Sequence, residues 1–400
     1  MTARLHPAAG ILFALSFLVL ASCASVNEGR GTRLVSDGVQ RLPLAEIPSR
    51  RARNRLVEDA LEHMSLEQLV GQRFITWLAD PEPTEEELRL VSDGLVGGFI
   101  VYPRNVVDRA QVSALTADLQ HAALSSSPTV GLLLAADQEG GRVAALRLPD
   151  MPQFPAARAW ARHGDEDYVE AASYVVNAEL AAVGINMNFA PVLDVYEHAD
   201  DSIIGDRAFA EEPGLVGDFG RAYLSGAERA GVIAVPKHFP GHGSTAVDSH
   251  GRLPVVCLSQ GELYDRHLPP FRAAVDSGAP AIMTAHLLLP ALDSRYPATL
   301  SRRIITGILR EDFGFSGVVI SDGVAMGAIS RNYDIVEAIE LSMQAGVDII
   351  LVHARYNVDE LVAATVELVE QGMISYEELV SGTRRVLELK ARYGLLPFPR

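Results

Sequence analysis

Apolar residues gather in eight short runs: 73–78 (RFITWL), 97–102 (GGFIVY), 130–136 (VGLLLAA), 184–190 (GINMNFA), 231–236 (GVIAVP), 281–285 (AIMTA), 317–321 (GVVIS) and 347–352 (VDIILV). Each is nearly continuous in apolar character, as a strand buried on both faces should be. Helical patterning fills the stretches between them. Ser65 with Gln68, Thr84 with Glu87 and Ser259 with Glu262 have the spacing of capping boxes that open helices. Eight strands alternating with helices, with no second composition block, predict an α/β fold: a single TIM-type (β/α)8 barrel over residues 55–400. An open doubly wound sheet is the alternative. It ordinarily has fewer strands, and the glycines of DQEGGRV (137–143) do not match a dinucleotide-binding turn.

The N-terminus stands outside this pattern. Arg4 precedes the apolar run Ile11–Ala21, and LASC (20–23) follows the form of a lipoprotein cleavage box. Residues 1–22 therefore read as a lipoprotein signal peptide and Cys23 as the lipidated first residue, with a plain secretory peptide as the alternative. Residues 23–54 are polar and glycine-bearing and read as a tether, and the basic stretch 49–55 (SRRARNR) as a solvated helix start. The expected location is exported and membrane-anchored through the lipid.

Cys23 and Cys257 are the only cysteines, so an acylated Cys23 leaves no disulfide to form. Cys257, in LPVVCLS, reads as an inert core thiol. The net charge of −17 disfavours nucleic acid and anionic lipid surfaces as general partners. A monomer is expected.

Chemistry in such a barrel collects at the C-terminal ends of the strands. Those ends carry Asp137, Asn188, Asp194, Lys237, His238, His286, Asp322 and His353. Fixed carboxylates, cations and imidazoles without a Gly-rich phosphate cradle suit a neutral, polyhydroxylated ligand. Cleaving a glycoside then needs a carboxylate nucleophile and a proton donor. Asp322, in VVISDGVAM, is placed for the first role, and a helix N-cap is the competing reading of the same residue.

The stretch 237–250 (KHFPGHGSTAVDSH) holds three histidines and an aspartate. A metal cage of His238, His242, His250 and Asp248 is disfavoured, because proline and glycine break the helix that would align them and no HExxH is present. A Ser–His–Asp hydrolase is weaker still, with Ser249 directly between Asp248 and His250. Acid–base chemistry fits better: Asp248 orients the His250 imidazole, and Gly241, Gly243 and Gly251 are expected to let the loop move. His242 has no evident role.

Taken in order, DQEGGRV (137–143), NFAPVLDV (188–195), IIGDRAF (203–209), KHFPGHGSTAVDSH (237–250) and VVISDGVAM (318–326) resemble the β-N-acetylhexosaminidase branch of glycoside hydrolase family 3. The resemblance covers roughly residues 55 to 395. It implies that Asp322 is the nucleophile of a retaining reaction and His250, paired with Asp248, the general acid/base. It implies that Asp137, Arg142, Arg207, Lys237 and His238 bind the sugar, with no metal and no cofactor. It further implies an exo-acting enzyme that removes terminal β-linked N-acetylglucosamine from a glycan or muropeptide. The second sandwich domain of the family's β-glucosidases is not expected in a chain of this length. Two positions depart from the pattern: Ala145 stands where an arginine is usual, with Arg147 displaced, and Gly323 replaces an acidic residue. A β-glucosidase, a glycosyl phosphorylase and a non-catalytic wall-sugar-binding lipoprotein remain as alternatives.

Overall fold

Each of the eight apolar runs contains a strand. The structure, a computed structural model, describes residues 49–197, 203–245 and 247–396. The signal peptide, Cys23 and the tether up to residue 48 lie outside the described residues. Strands β1 (Phe74–Trp77), β2 (Gly98–Val101) and β3 (Leu133–Ala136) are followed by β4 (Gln138–Gly140) and β5 (Val143–Ala144). Then come β6 (Met187–Asn188), β7 (Ile233–Ala234), β8 (Ala281–Met283), β9 (Val318–Ile320) and β10 (Ile350–Val352).

One parallel sheet runs in the order β10-β1-β2-β3-β6-β7, and β8 pairs with β9, also in parallel. Parallel neighbours require long crossovers, and helices supply them. This is an α/β fold. The capping boxes predicted at Ser65, Thr84 and Ser259 all form, each with the side chain of its third helical residue bonded back to the cap.

Both faces of the parallel strands are buried, and they feed different clusters. Ile75, Ile100, Leu133, Met187, Ile233, Met283, Val318, Ile320 and Leu351 pack together from all eight. Their strand neighbours Phe74, Phe99, Leu134, Ala234, Ile282, Val319 and Ile350 pack outward beneath the helices. The period of two explains why the runs are continuous: neither side is free to be polar.

Two expectations need correction, and one element was not foreseen. The helix Arg50–His63, capped by Ser49, bears out the helix start read at 49–55, but it lies inside the segment read as tether, so ordered structure precedes residue 55. Cys257 is exposed and not a core thiol. Its segment is extended, so Val256 turns inward while Val255 and Cys257 face out. The hairpin β4–β5 was not legible as strand, because its turn, Gly140–Gly141 at positive φ, reads as a loop.

Near the N-terminal ends of the strands, Lys390 is fully buried with Gln72 Oε1 at 2.6 Å as its partner. Burial pulls its ammonium down to about 7. The unfolded chain keeps that ammonium protonated to about pH 10.4, so above pH 7 the unfolded state binds more protons and stability rises with pH. Below pH 7 the folded state bears the full cost. The unfolding free energy of Lys390→Met minus that of wild type should therefore fall by about 1.4 kcal/mol per pH unit between 7 and 10. Urea melts across that range test it, and a pH-independent difference would overturn it.

Candidate active site

The polar residues at the C-terminal ends of the strands meet in one buried network. Asp137 directly follows β3, and Glu139 lies on β4. Lys237 Nζ, 3% exposed, stands 2.6 Å from Asp137 Oδ1 and 2.6 Å from Glu139 Oε1. Glu139 also takes a two-pronged contact from Arg207, Nε to Oε2 at 2.7 Å and Nη2 to Oε1 at 2.8 Å. Burial alone would raise the Glu139 carboxyl, but Lys237 and Arg207 overcome it and hold the group far below the carboxylate range. Burial likewise works against the Lys237 ammonium, and the charges of Asp137 and Glu139 raise it nonetheless. Both partners are therefore ionised.

His238 continues the network. Its Nδ1–H donates to Asp194 Oδ2 at 2.7 Å, and its Nε2 lies 3.4 Å from Arg207 Nη2. Asp194 is fully buried and also accepts from the backbone N–H of His242 at 2.6 Å. Asp137 keeps an open side, with 29% of its side chain exposed. It is the carboxylate of this group that a ligand can reach.

Asp322 follows β9 and is half-buried. Burial raises its carboxyl, while His286, His238 and the Gly323 backbone N–H, 2.7 Å from Oδ1, bring it below its ordinary value. The helix-cap reading does not hold, because the next helix, Gly327–Ser330, has Met326 at its N-cap. Fully buried His286 donates from Nε2 to the Gly323 carbonyl at 3.0 Å and so fixes the peptide after Asp322. A Cβ at Gly323 would touch only Met326, at 3.7 Å, so the missing acidic side chain leaves the packing undisturbed.

His250 and Asp248 stand on the rim. Their Nδ1–Oδ1 distance is 2.7 Å, and the two side chains are 74% and 54% exposed. The pair leaves Nε2 free. The expectation that three glycines loosen this loop fails at Gly241 and Gly243. Gly251 is exposed, and a Cβ there would meet only the Asp248 carbonyl oxygen at 3.7 Å, whereas a Cβ at Gly243 would lie 1.8 Å from the Val195 carbonyl oxygen. Gly241, at φ +125°, is packed against His267. These two permit close approach; they are not hinges.

Arg142 is bonded to the carbonyls of Ile203 at 2.5 Å and Ile204 at 3.0 Å, so it fastens the loop that carries Arg207. Ala145 is buried, and Arg147 turns back onto the carbonyls of Gly141 and Arg142. Among the described residues no three His, Cys, Asp or Glu side chains are grouped to hold a metal ion, and no helix is long and apolar enough to cross a membrane.

The sequence reading passed over Glu139, Asp194 as the partner of His238, and His286 as the anchor of the Asp322 peptide. Glu139 had a signal: it lies in the same DQEGGRV motif as Asp137, two residues on. Nothing local to the sequence pairs Asp194 with His238, 44 residues away.

Residues 61–389 match the model of the glycosyl hydrolase family 3 N terminal domain. The chain is 39% identical over 282 residues to a beta-hexosaminidase of Thiobacillus denitrificans, covering 69% of this chain and 76% of that protein. It is 35% identical over 326 residues to beta-hexosaminidase A of Pseudoalteromonas piscicida, covering 76% of this chain but 54% of the relative. Among solved structures, a family 3 beta-N-acetylglucosaminidase from Paenibacillus superposes with a TM-score of 0.81 at 38% identity, covering 84% of this chain and 64% of the other. The beta-N-acetylhexosaminidase of Beutenbergia cavernae gives a TM-score of 0.76 at 31% identity, covering 82% and 98%. The chain thus spans about half of one relative and nearly all of another. Through its N-terminal-domain module, this chain belongs to glycoside hydrolase family 3.

Proposed function

We propose that this chain is a retaining exo-β-N-acetylhexosaminidase that removes terminal β-linked N-acetylglucosamine from peptidoglycan fragments. The supporting observation is one pairing: a carboxylate held ionised at a strand end, Asp322, and a rim imidazole whose Nδ1 is committed to Asp248. The hexosaminidase relatives supply the substrate class.

In the first step an Asp322 oxygen attacks the anomeric carbon while the glycosidic bond breaks. His250 Nε2–H protonates the departing oxygen. In the second step neutral Nε2 takes a proton from water, whose oxygen displaces Asp322 and restores both groups. Asp137, Lys237 and His238 hold the sugar hydroxyls, and Arg207 keeps Glu139 and His238 in place. Arg142 contributes by securing the Arg207 loop.

The frame for this chemistry is a closed (β/α)8 barrel, taken over the described residues from 55 to 396. Two parallel bridges support closure: Phe239 with Thr284, between the β7 and β8 segments, and Ile320 with Ile349, between β9 and β10. The shared cluster on one face of all eight strands supports it further. An N-terminal lipid on Cys23 would hold the enzyme at an exported membrane face. Labelling cells with a radioactive fatty acid should mark the wild-type protein and not Cys23→Ser; equal labelling of both would refute the anchor.

Asp322→Asn should abolish turnover of an aryl β-N-acetylglucosaminide, a loss of at least about 10³-fold in kcat. Near-normal turnover would remove the nucleophile assignment. His250→Ala should slow substrates with poor leaving groups by about 10²-fold or more and spare the first step on highly activated ones. Equal losses on both would argue against the acid role.

A further inference from the structure

Three fully buried polar side chains stand behind the backbone that follows Asp322. Thr284 and His286 lie just past β8, and Thr299 lies on the short turn Ala298–Leu300. Thr299 Oγ1 is shared three ways: 2.8 Å from Thr284 Oγ1, 2.9 Å from His286 Nδ1 and 2.9 Å from the Ala285 carbonyl oxygen. On the other side of the ring, Nε2–H donates to the Gly323 carbonyl, which also accepts the Met326 N–H at 2.9 Å. The Val324 N–H donates to the Leu351 carbonyl at 3.1 Å. The peptide between Gly323 and Val324 is thus held at both its oxygen and its nitrogen.

Counting protons leaves two arrangements. Among the described residues the Thr284 hydroxyl meets only Thr299, so it donates there. Thr299 then has one proton to place. Turned to the Ala285 carbonyl, it requires a proton on His286 Nδ1, and the ring is an imidazolium. Turned to Nδ1, it serves a neutral ring. Both arrangements keep Nε2–H on Gly323. Rotation of one hydroxyl therefore lets the ring change charge without stranding a buried donor, which would cost about 1–3 kcal/mol. Burial opposes the cation, Asp322 favours it, and His250 and His238 are the other titratable groups that act on the ring.

We propose that Thr284, Thr299 and His286 form a positioning relay that holds the Gly323 peptide, and through it Asp322, in either charge state of the ring. This rests on the reading of Asp322 as nucleophile. In that reaction Asp322 alternates between carboxylate and glycosyl ester, and a clamp that worked only beside an anion would slacken halfway. Gly323 depends on the clamp, because no side chain of its own restricts its backbone. A few residues on, the N–H groups of Gly327 and Ala328 bond the carbonyls of His250 and Ser249. The relay thereby bears on the acid/base as well as the nucleophile.

The test follows an aryl β-N-acetylglucosaminide across pH. His286→Leu should lose about 10²-fold in kcat with little change in KM, and His286→Gln, whose amide can still donate to Gly323, should recover about tenfold of that loss. Gly323 is not among the glycines at positive φ, so alanine fits there and stiffens the backbone. In a Gly323→Ala background the loss from His286→Leu should shrink by about threefold or more. Thr299→Val keeps the shape but removes the acceptor that a charged ring needs. Asp322 then loses a neighbouring cation, its carboxyl rises, and the acid limb of kcat/KM should move up by about one pH unit. Equal losses in the Leu and Gln variants, full additivity with Gly323→Ala, or an unmoved acid limb in Thr299→Val each overturns the proposal. If His286→Leu does not melt like wild type, the acid limb of Thr299→Val decides. Failure of the nucleophile reading has a separate sign: near-normal turnover by Asp322→Asn.

Discussion

The site depends on one buried ammonium. Lys237 is withdrawn from water, and an unpaired charge there would cost several kcal/mol. Asp137 and Glu139 compensate it, Arg207 compensates Glu139, and Arg207 reaches His238, which Asp194 holds from behind. Each member makes the next tolerable. Removing one partner strands another charge at about 3–5 kcal/mol, so these residues hold their places as a set. Residues from the end of β3, the loop 203–209 and the end of β7 are thereby fixed against each other. A polar floor assembled this way is fixed before any ligand arrives.

Against that fixed floor stands a tip that is free on one side only. Residues 237–245 are almost wholly buried, and the glycines among them are there because Val195 and His267 leave no room for a side chain. The tip at 247–251 is wet, but it is not loose: Gly327 N–H donates to the His250 carbonyl and Ala328 N–H to the Ser249 carbonyl, both at 3.0 Å. A Cβ at Gly327 would come within 2.5 Å of the Gly251 carbonyl oxygen. The imidazole and the carboxylate are thus connected through the short stretch after Asp322, and the spacing between them is set by backbone contacts.

How much of this was legible in the sequence follows from the range of the forces involved. The eight strands were readable because burial on both faces leaves a local, continuous apolar signal. The hairpin β4–β5 was not, since two residues per strand and a glycine turn give no period to detect. The strand-end residues Asp137, Lys237, His238 and Asp322 could be found by position alone. Glu139, Asp194 and His286 could not be ranked, because what distinguishes them is a partner tens to nearly a hundred residues away. Cys257 was misjudged for a related reason: its apolar neighbours said nothing of which face of the segment was turned outward.

The three histidines of 237–250 show the same limit most sharply. Their sequence surroundings are alike in polarity and in glycine content. The fold gives each a different environment. His238 is clamped by a buried carboxylate and faces Arg207. His242 is buried, and burial lowers its basicity; its Nδ1 finds no hydrogen-bond partner among the described residues while its backbone N–H serves Asp194. Only His250 combines exposure, a carboxylate on one nitrogen and a free second nitrogen. A group that must accept and return protons needs all three, and neither buried ring can supply them. Burial therefore supports the acid–base role proposed for His250 where residue type and spacing could not single it out.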